Sequence, residues 1–121
     1  MATYFETAAS AIAAAFTNPS MGRWIKKGTY RRVIPQTPEH SASQQEAPVH
    51  VLLTQFSGHG PMADALWKPT DRLAIIQQAE LEALGEPLEK DQLVLPNWQP
   101  FQVLRGFELA TGLLWHIQVR Q

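Results

Sequence analysis

The sequence predicts one small, mainly β domain: a barrel or sandwich of about six antiparallel strands with an N-terminal α-helix and two long loops. Three observations support this prediction. A chain of 121 residues is long enough for one hydrophobic core. Nine prolines, spread from residue 19 to residue 100, exclude long helices from that region. In residues 101–119, apolar and polar residues alternate, as they do in strands with one buried face.

An N-terminal helix is predicted over residues 3–16. This stretch is rich in alanine, it carries Phe5 and Ile12 near helical spacing, and Asn18 and Pro19 follow it as a break. An isolated helix of roughly 12–15 residues is marginal in water. We therefore expect the face that carries Phe5 and Ile12 to contact either the rest of the domain or a neighbouring subunit.

The remaining residues, 29–121, are predicted to form the barrel-like core. Strands are expected at 29–34, 49–56, 72–81 and 92–95, and loops at 35–48 and 57–70. Residues 70–84 also fit a helix, because Thr70 is a good N-cap and Gly85 a good stop. The choice between strand and helix stays open at this point.

A hairpin is predicted at the C-terminus, with the glycine-containing connection 110–112 joining two amphipathic strands. The alternation predicts that one face of this hairpin is buried in the core. The apolar residues predicted on that face are Phe101, Val103, Phe107, Leu109, Leu113, Trp115, Ile117 and Val119.

No residue pattern indicates catalysis, a metal site or a cofactor, so we predict that the chain is not an enzyme. The absence of cysteine excludes thiolate chemistry. The four histidines lack metal-ligand spacing, and Ser57, His59 and Asp64 lack the sharp turn that presents a serine nucleophile.

The apolar stretch 8–16 is too short to span a bilayer, so a membrane role is not expected. The protein is predicted to be cytoplasmic in the cell that makes it.

Charge is unevenly distributed along the chain. Residues 1–45 carry a net charge of +3 and the remainder −4, which predicts attraction between opposite ends of like molecules. A basic cluster interleaved with Trp24 and Tyr30 is the best candidate for contact with DNA or with an acidic partner, although a solvated strand edge is the more common meaning of such a cluster. Its members are Arg23, Lys26, Lys27, Arg31 and Arg32.

Two tryptophans in proline-rich loops, Trp67 and Trp98, are predicted to anchor partner proteins, since exposed loop tryptophans are favoured at interfaces. His59 and Met62, in the same loop region as Trp67, are assigned to the same predicted interface.

The C-terminal half contains an Asp71-Arg72 pair at the start of a strand, Pro87 in a turn, Asp91 ahead of the next strand, and a Val119-Arg120 pair near the chain end. In these features, over about residues 70–121, the chain resembles the head-completion proteins of tailed bacteriophages, also called head–tail joining, stopper or neck proteins.

The resemblance implies a structural virion protein of the phage neck, made in the host bacterial cytoplasm. It implies a β-barrel-like subunit in a homo-oligomeric ring, usually a hexamer, with double-stranded DNA passing through the lumen. The expected partners are the portal or adaptor protein on one side and a tail terminator or tail-tube protein on the other, reached by the loops 36–48 and 57–69. Alternatives are a tail terminator or minor tail protein of the same assembly, and a stand-alone nucleic-acid-binding β-barrel.

Overall fold

The protein is mainly β in the computed structural model, which describes residues 4–17, 25–39, 41–55, 67–109 and 112–121. One α-helix, α1 (Tyr4–Thr17), comes first. The strands are β1 (Ile25–Ile34), β2 (Ser43–Gln55), β3 (Arg72–Gln77), β4 (Gln92–Val94), β5 (Phe101–Leu109) and β6 (Leu114–Arg120), with a short 3₁₀ helix at Gln78–Leu81. The predicted mainly β class with one N-terminal helix is confirmed.

All six strands are antiparallel to their neighbours and close into a barrel in the order β1-β2-β3-β6-β5-β4. Because directions alternate, β1, β3 and β5 begin at one end of the barrel, where β2, β4 and β6 finish. Closure leaves no exposed sheet edge along the fully paired strands. Of the two predicted architectures, barrel and sandwich, the barrel is the one that forms.

The core fills the barrel with alternate residues from every strand. Tyr30, Val51, Ala74, Ile76, Val103, Ile117 and Val119 are all completely buried. Leu81 from the 3₁₀ helix and Leu95 from the β4–β5 connection close over this cluster. The inward alternation predicted for the C-terminal hairpin is therefore correct at four positions, Phe101, Val103, Ile117 and Val119.

The alternation is wrong for Phe107, whose side chain is 39% exposed. A β-bulge shifts the register between Val103 and Arg105, so the inward position opposite Ile117 is taken by Gly106 rather than by Phe107. Trp115 is only half-buried against the core. A side-chain pattern of period two cannot reveal a bulge, because one inserted residue reverses the faces beyond it.

The first hairpin is longer than predicted. β1 begins at Ile25 rather than at residue 29, and β2 begins at Ser43, so the loop predicted at 35–48 is restricted to residues 35–42. The backbone N–H of His50 points away from β1, because it donates to the carboxylate of Glu80. Residues two positions apart in a strand have the same backbone orientation, so the nitrogen of Pro48 also faces away from β1. Pro48 therefore removes no donor from the β1–β2 ladder, which is why a proline is tolerated within this strand.

The segment predicted as a strand over 72–81 is a strand only as far as Gln77. Residues 78–81 form the 3₁₀ helix, so part of the helical tendency of this region is also expressed. β3 ends where its partner β6 begins, at the Gln77–Leu114 pair, and only one further backbone hydrogen bond, from Gln78 to Leu113, is seen there among the described residues. The predicted short strand at 92–95 is observed at Gln92–Val94.

The second predicted loop, 57–70, lies outside the described residues except for its last four, which lead into β3 through a turn. Within the described part of the chain, no helix combines the length and apolar character that a membrane span requires.

Candidate functional site

Asp71 lies directly before β3 and is 1% exposed. Its carboxylate accepts hydrogen bonds from Arg120 Nε at 2.6 Å and Arg120 Nη2 at 2.8 Å, and from Gln118 Nε2 at 2.7 Å. The Lys68 N–H also donates to the carboxylate at 3.0 Å, while the Asp71 N–H donates to the Lys68 carbonyl at 2.9 Å. Asp71 therefore closes the turn into β3 and joins that turn to the last residues of β6.

Asp91 lies directly before β4 and is 3% exposed. It accepts hydrogen bonds from the Tyr30 hydroxyl at 2.6 Å and from Arg32 Nε and Nη2 at 3.0 and 2.9 Å. The Leu88 N–H donates to its carboxylate at 2.9 Å, and the Asp91 N–H donates back to the Leu88 carbonyl at 3.1 Å. Arg32 also donates to the carbonyls of Leu84 and Glu86, so it fixes the connection between the 3₁₀ helix and β4.

The two clusters have the same construction. In each, an aspartate one residue before a strand exchanges hydrogen bonds with the residue three positions earlier. Each aspartate also binds an arginine on the neighbouring strand and the residue two positions before that arginine, Gln118 in one case and Tyr30 in the other. Since β3 and β4 begin at opposite ends of the barrel, one cluster lies at each end. We refer to these as the Asp71 end and the Asp91 end.

The pKa shifts in these clusters favour fixed charges. Burial alone would raise the pKa of Asp71, but hydrogen bonds from Arg120, the Lys68 backbone and Gln118, together with the charge of Arg120, lower it to about 2. Burial, followed by the hydrogen bond to Asp91, raises the pKa of the Tyr30 hydroxyl far above its usual value. The hydrogen bond to Asp91 raises the pKa of Arg32. Asp71 therefore remains ionised and Tyr30 neutral near pH 7, so neither exchanges a proton at that pH. The geometry fits a structural role rather than acid–base chemistry.

A third polar contact joins His50 on β2 to Glu80 in the 3₁₀ helix, with 2.7 Å between Nδ1 and Oε2. The other described histidine, His116, lies on β6, where burial lowers its pKa. Over residues 4–17, 25–39, 41–55, 67–109 and 112–121, no group of histidine and acidic side chains is arranged to hold a metal ion. His40 and His59 lie outside these ranges.

The predicted basic cluster is divided between the two ends of the barrel. Arg31 and Arg32 lie towards the Asp91 end, where Arg31 pairs with Glu46 at 3.2 Å and Arg32 is held by Asp91. Lys26 and Lys27 lie at the opposite end, at the start of β1. Arg23 lies outside the described residues. The four described members of the predicted basic cluster therefore form two separate pairs.

The two loop tryptophans differ in their surroundings. Trp67 is only 7% exposed, and its ring centroid lies 5.8 Å from the guanidinium carbon of Arg105 on β5. The prediction that Trp67 is an exposed anchor is wrong, because the end of the loop folds back onto the barrel. Trp98 is half-buried next to Phe101, with Arg72 and Lys26 at 5.8 and 6.0 Å from its ring centroid.

An open cavity of about 650 Å³ lies between α1 and the barrel at the Asp91 end. Its lining includes Ile12 and Ala13 from α1, Leu81 and Glu82 from the region of the 3₁₀ helix, and Leu113 and Trp115 from the final hairpin. Ile12 is half-buried there, and Phe16 at the end of α1 is buried. Phe5 belongs to α1, but its side chain lies outside the described part of the structure, as do His59 and Met62.

Sequence reasoning missed the two aspartate–arginine clusters. A usable signal was present, since both aspartates directly precede a predicted strand, and since Arg32 lies two residues after the core residue Tyr30 and so on the same face of β1.

Compared with known families and with curated protein sequences, the chain matches no family model and no curated protein.

Proposed function

We propose that this chain is a structural ring subunit of a bacteriophage neck, a head-completion protein that joins the portal or adaptor to the tail and helps to retain packaged DNA. The proposal takes the phage context from the resemblance of residues 70–121. Three of the positions that carry this resemblance, Asp71, Asp91 and Arg120, form the ion clusters at the two barrel ends. The motif residues thus have a physical role in holding the turns of a closed barrel. No residue is catalytic in this proposal.

The observation that best supports assembly into a ring is the incomplete packing of α1. From residue 10 to residue 15 every side chain of this helix is at least partly exposed, although five of the six residues are alanine or isoleucine. The helix also borders an open cavity with a largely apolar lining. Apart from the buried Phe16, the described side chains of this 14-residue helix are incompletely covered by their own domain, and a neighbour that covers them would stabilise the helix. We assign that neighbour to the next subunit of the ring and place its contact on the cavity side of α1, which carries Ile12 and Ala13 but not Ala14.

An Ile12→Glu substitution tests this assignment, because it places a charge on the cavity side of α1. We expect the wild-type protein to form a closed ring in light-scattering and negative-stain measurements, and we expect the variant to be monomeric with an unchanged barrel unfolding transition. Ala14→Glu is the matched control. Ala14 is exposed and does not line the cavity, so its variant should still form rings.

A wild-type protein that remains monomeric at every concentration would contradict the ring, and rings that tolerate Ile12→Glu would contradict the role of α1. The genes beside the coding sequence provide a separate test of the phage context. A portal or capsid gene upstream and a tail gene downstream would support the proposal, whereas a metabolic operon would exclude it.

A further inference from the structure

The described charged residues of the barrel, apart from Arg105 at the middle of β5, are strongly segregated between its two ends. At the Asp71 end, where β1 and β3 begin and β6 finishes, lie five basic side chains and one acidic side chain, a net charge of +4. They are Lys26, Lys27, Lys68, Arg72, Arg120 and Asp71. At the Asp91 end lie three basic and eight acidic side chains, a net charge of −5. They are Arg31, Arg32, Lys90, Glu39, Glu46, Glu80, Glu82, Glu86, Glu89, Asp91 and Glu108.

Internal ion pairs do not remove this polarity. Asp71 pairs with Arg120 at the basic end, and Asp91 and Glu46 pair with Arg32 and Arg31 at the acidic end. Each pair cancels itself, so the net charges of the two ends are unchanged. The charges left over include the well exposed Lys27 and Lys68 at the basic end and Glu82, Glu86 and Glu89 at the acidic end.

The basic end also has an aromatic centre. Lys26 and Arg72, from two different strands, lie near the ring of Trp98, whose own position is fixed by Phe101 and the β4–β5 connection. Among the described residues, no acidic side chain forms an ion pair with Lys26, Lys27, Lys68 or Arg72. These cations are therefore available to a partner at short range.

From this polarity we infer that the basic Asp71 end of one copy of the chain binds the acidic Asp91 end of a second copy. A second copy of the chain is the favoured partner because of charge complementarity. Among the described residues, one end of the molecule carries a net charge of −5 and the opposite end a net charge of +4. A duplex DNA partner is less well matched, since Arg31 and Arg32 are held by ion pairs at the other end and do not extend the basic surface. The contact is head-to-tail, so it is repeatable from copy to copy and closes a ring when the rotation allows.

This inference deepens the proposed function by naming the surfaces through which subunits meet. The test uses two charge-reversal variants of the full chain, a basic-end variant (Lys27→Glu with Lys68→Glu) and an acidic-end variant (Glu82→Lys with Glu89→Lys). All four side chains are exposed, so folding should be retained. Lys27→Arg with Lys68→Arg is the charge-preserving control.

Sedimentation velocity at low ionic strength should show self-association of the wild type and of the control. Each charge-reversal variant alone should associate at least about tenfold more weakly, because the altered end changes from +4 to 0 or from −5 to −1 and most of the attraction is lost. An equimolar mixture of the two variants should restore association as one-to-one pairs, since the acidic end of the first variant and the basic end of the second are unaltered. High salt should weaken association of the wild type and of the mixture, since surface charges are screened beyond a Debye length of about 10 Å at 0.1 M salt.

A mixture that stays monomeric, or a wild-type association that salt does not weaken, would overturn the inference. If the mixture stays monomeric and the basic-end variant loses binding to duplex DNA, the basic end binds nucleic acid rather than a second copy of the chain. If both variants still form the wild-type ring, the end-to-end contact is wrong but the ring of the proposed function stands.

Discussion

At the residue scale, Asp71 and Asp91 explain how the long connections that lead into β3 and β4 are fixed to a closed barrel. Each aspartate satisfies a turn amide and an arginine from the adjacent strand at once, at nearly complete burial. Breaking such a pair costs more than the pair itself contributes, because the remaining partner is left with an uncompensated charge or an unmade hydrogen bond.

We expect Asp71→Asn to lower the free energy of unfolding by about 2–4 kcal/mol, below the upper range for a fully buried pair because Arg120 is 30% exposed. Chemical denaturation followed by tryptophan fluorescence measures this change. Glu89→Gln removes an exposed carboxylate beside the Asp91 turn and should change the unfolding free energy by less than about 0.5 kcal/mol. An Asp71→Asn protein as stable as the wild type would show that the cluster does not support the fold.

The lowered pKa of Asp71 also predicts a dependence of stability on pH. Its pKa is about 2 in the folded chain, against about 3.9 for an unfolded aspartate. The stabilisation is therefore complete above the unfolded value and is lost as the pH falls towards about 2. Between about pH 5 and pH 2, the wild type should lose about 2 kcal/mol more stability than Asp71→Asn. Parallel pH profiles of the two proteins would refute this assignment.

At the element scale, β4 is the shortest strand, yet it closes the barrel between β1 and β5. β1 and β4 come so close that a Cβ on Gly28 would lie 2.6 Å from the Val94 carbonyl oxygen and would also clash with the Leu95 side chain. Closure of the barrel between β1 and β4 therefore requires a residue without a side chain at position 28.

Gly28→Ala should accordingly destabilise the protein by about 1–3 kcal/mol, as overpacking commonly does. Lys27→Ala, one residue earlier on the same strand and exposed, is the control that isolates the clash from a general effect on β1. Thermal unfolding of the two variants provides the comparison. Equal melting temperatures would mean that the β1–β4 contact can relax without cost.

The elements that could be predicted from the sequence are those that local patterns determine. The alanine-rich run defined α1 to within one residue at each end, and the alternation in 101–119 defined the final hairpin. The ends of β1 and β2 could not be predicted, because polar residues such as Ser43–Glu46 become strand only by pairing with β1. The bulge at Val103 and the burial of Trp67 likewise depend on contacts between distant parts of the chain.

The candidate site was harder to predict than the fold. The sequence presented Arg31 and Arg32 as adjacent surface cations, but strand alternation sends them to different faces, one to Glu46 and the other to Asp91. The sequence places Asp91 ahead of a strand, but nothing in its local sequence indicates that an arginine about sixty residues earlier lies beside it. Ion pairs of this kind follow from topology, which single-sequence patterns describe poorly.

At the scale of the whole molecule, the barrel has an apolar interior, opposite charges at its two ends and an incompletely covered helix beside the acidic end. These are the features on which the proposed ring assembly rests. A ring subunit needs a contact for each neighbour, and here the helix and the charged ends are the surfaces that remain to be covered.

The most direct test of the proposed neck role is to delete the gene from the phage genome that the proposal expects to carry it, and to image the resulting particles by electron microscopy. We predict heads that leak DNA and carry no tails, with normal particles restored when the wild-type gene is supplied in trans. Filled heads that retain DNA but lack proper tails would instead assign the chain to the tail terminator or another tail component. Complete, infectious virions from the deletion strain would contradict a structural role in the neck.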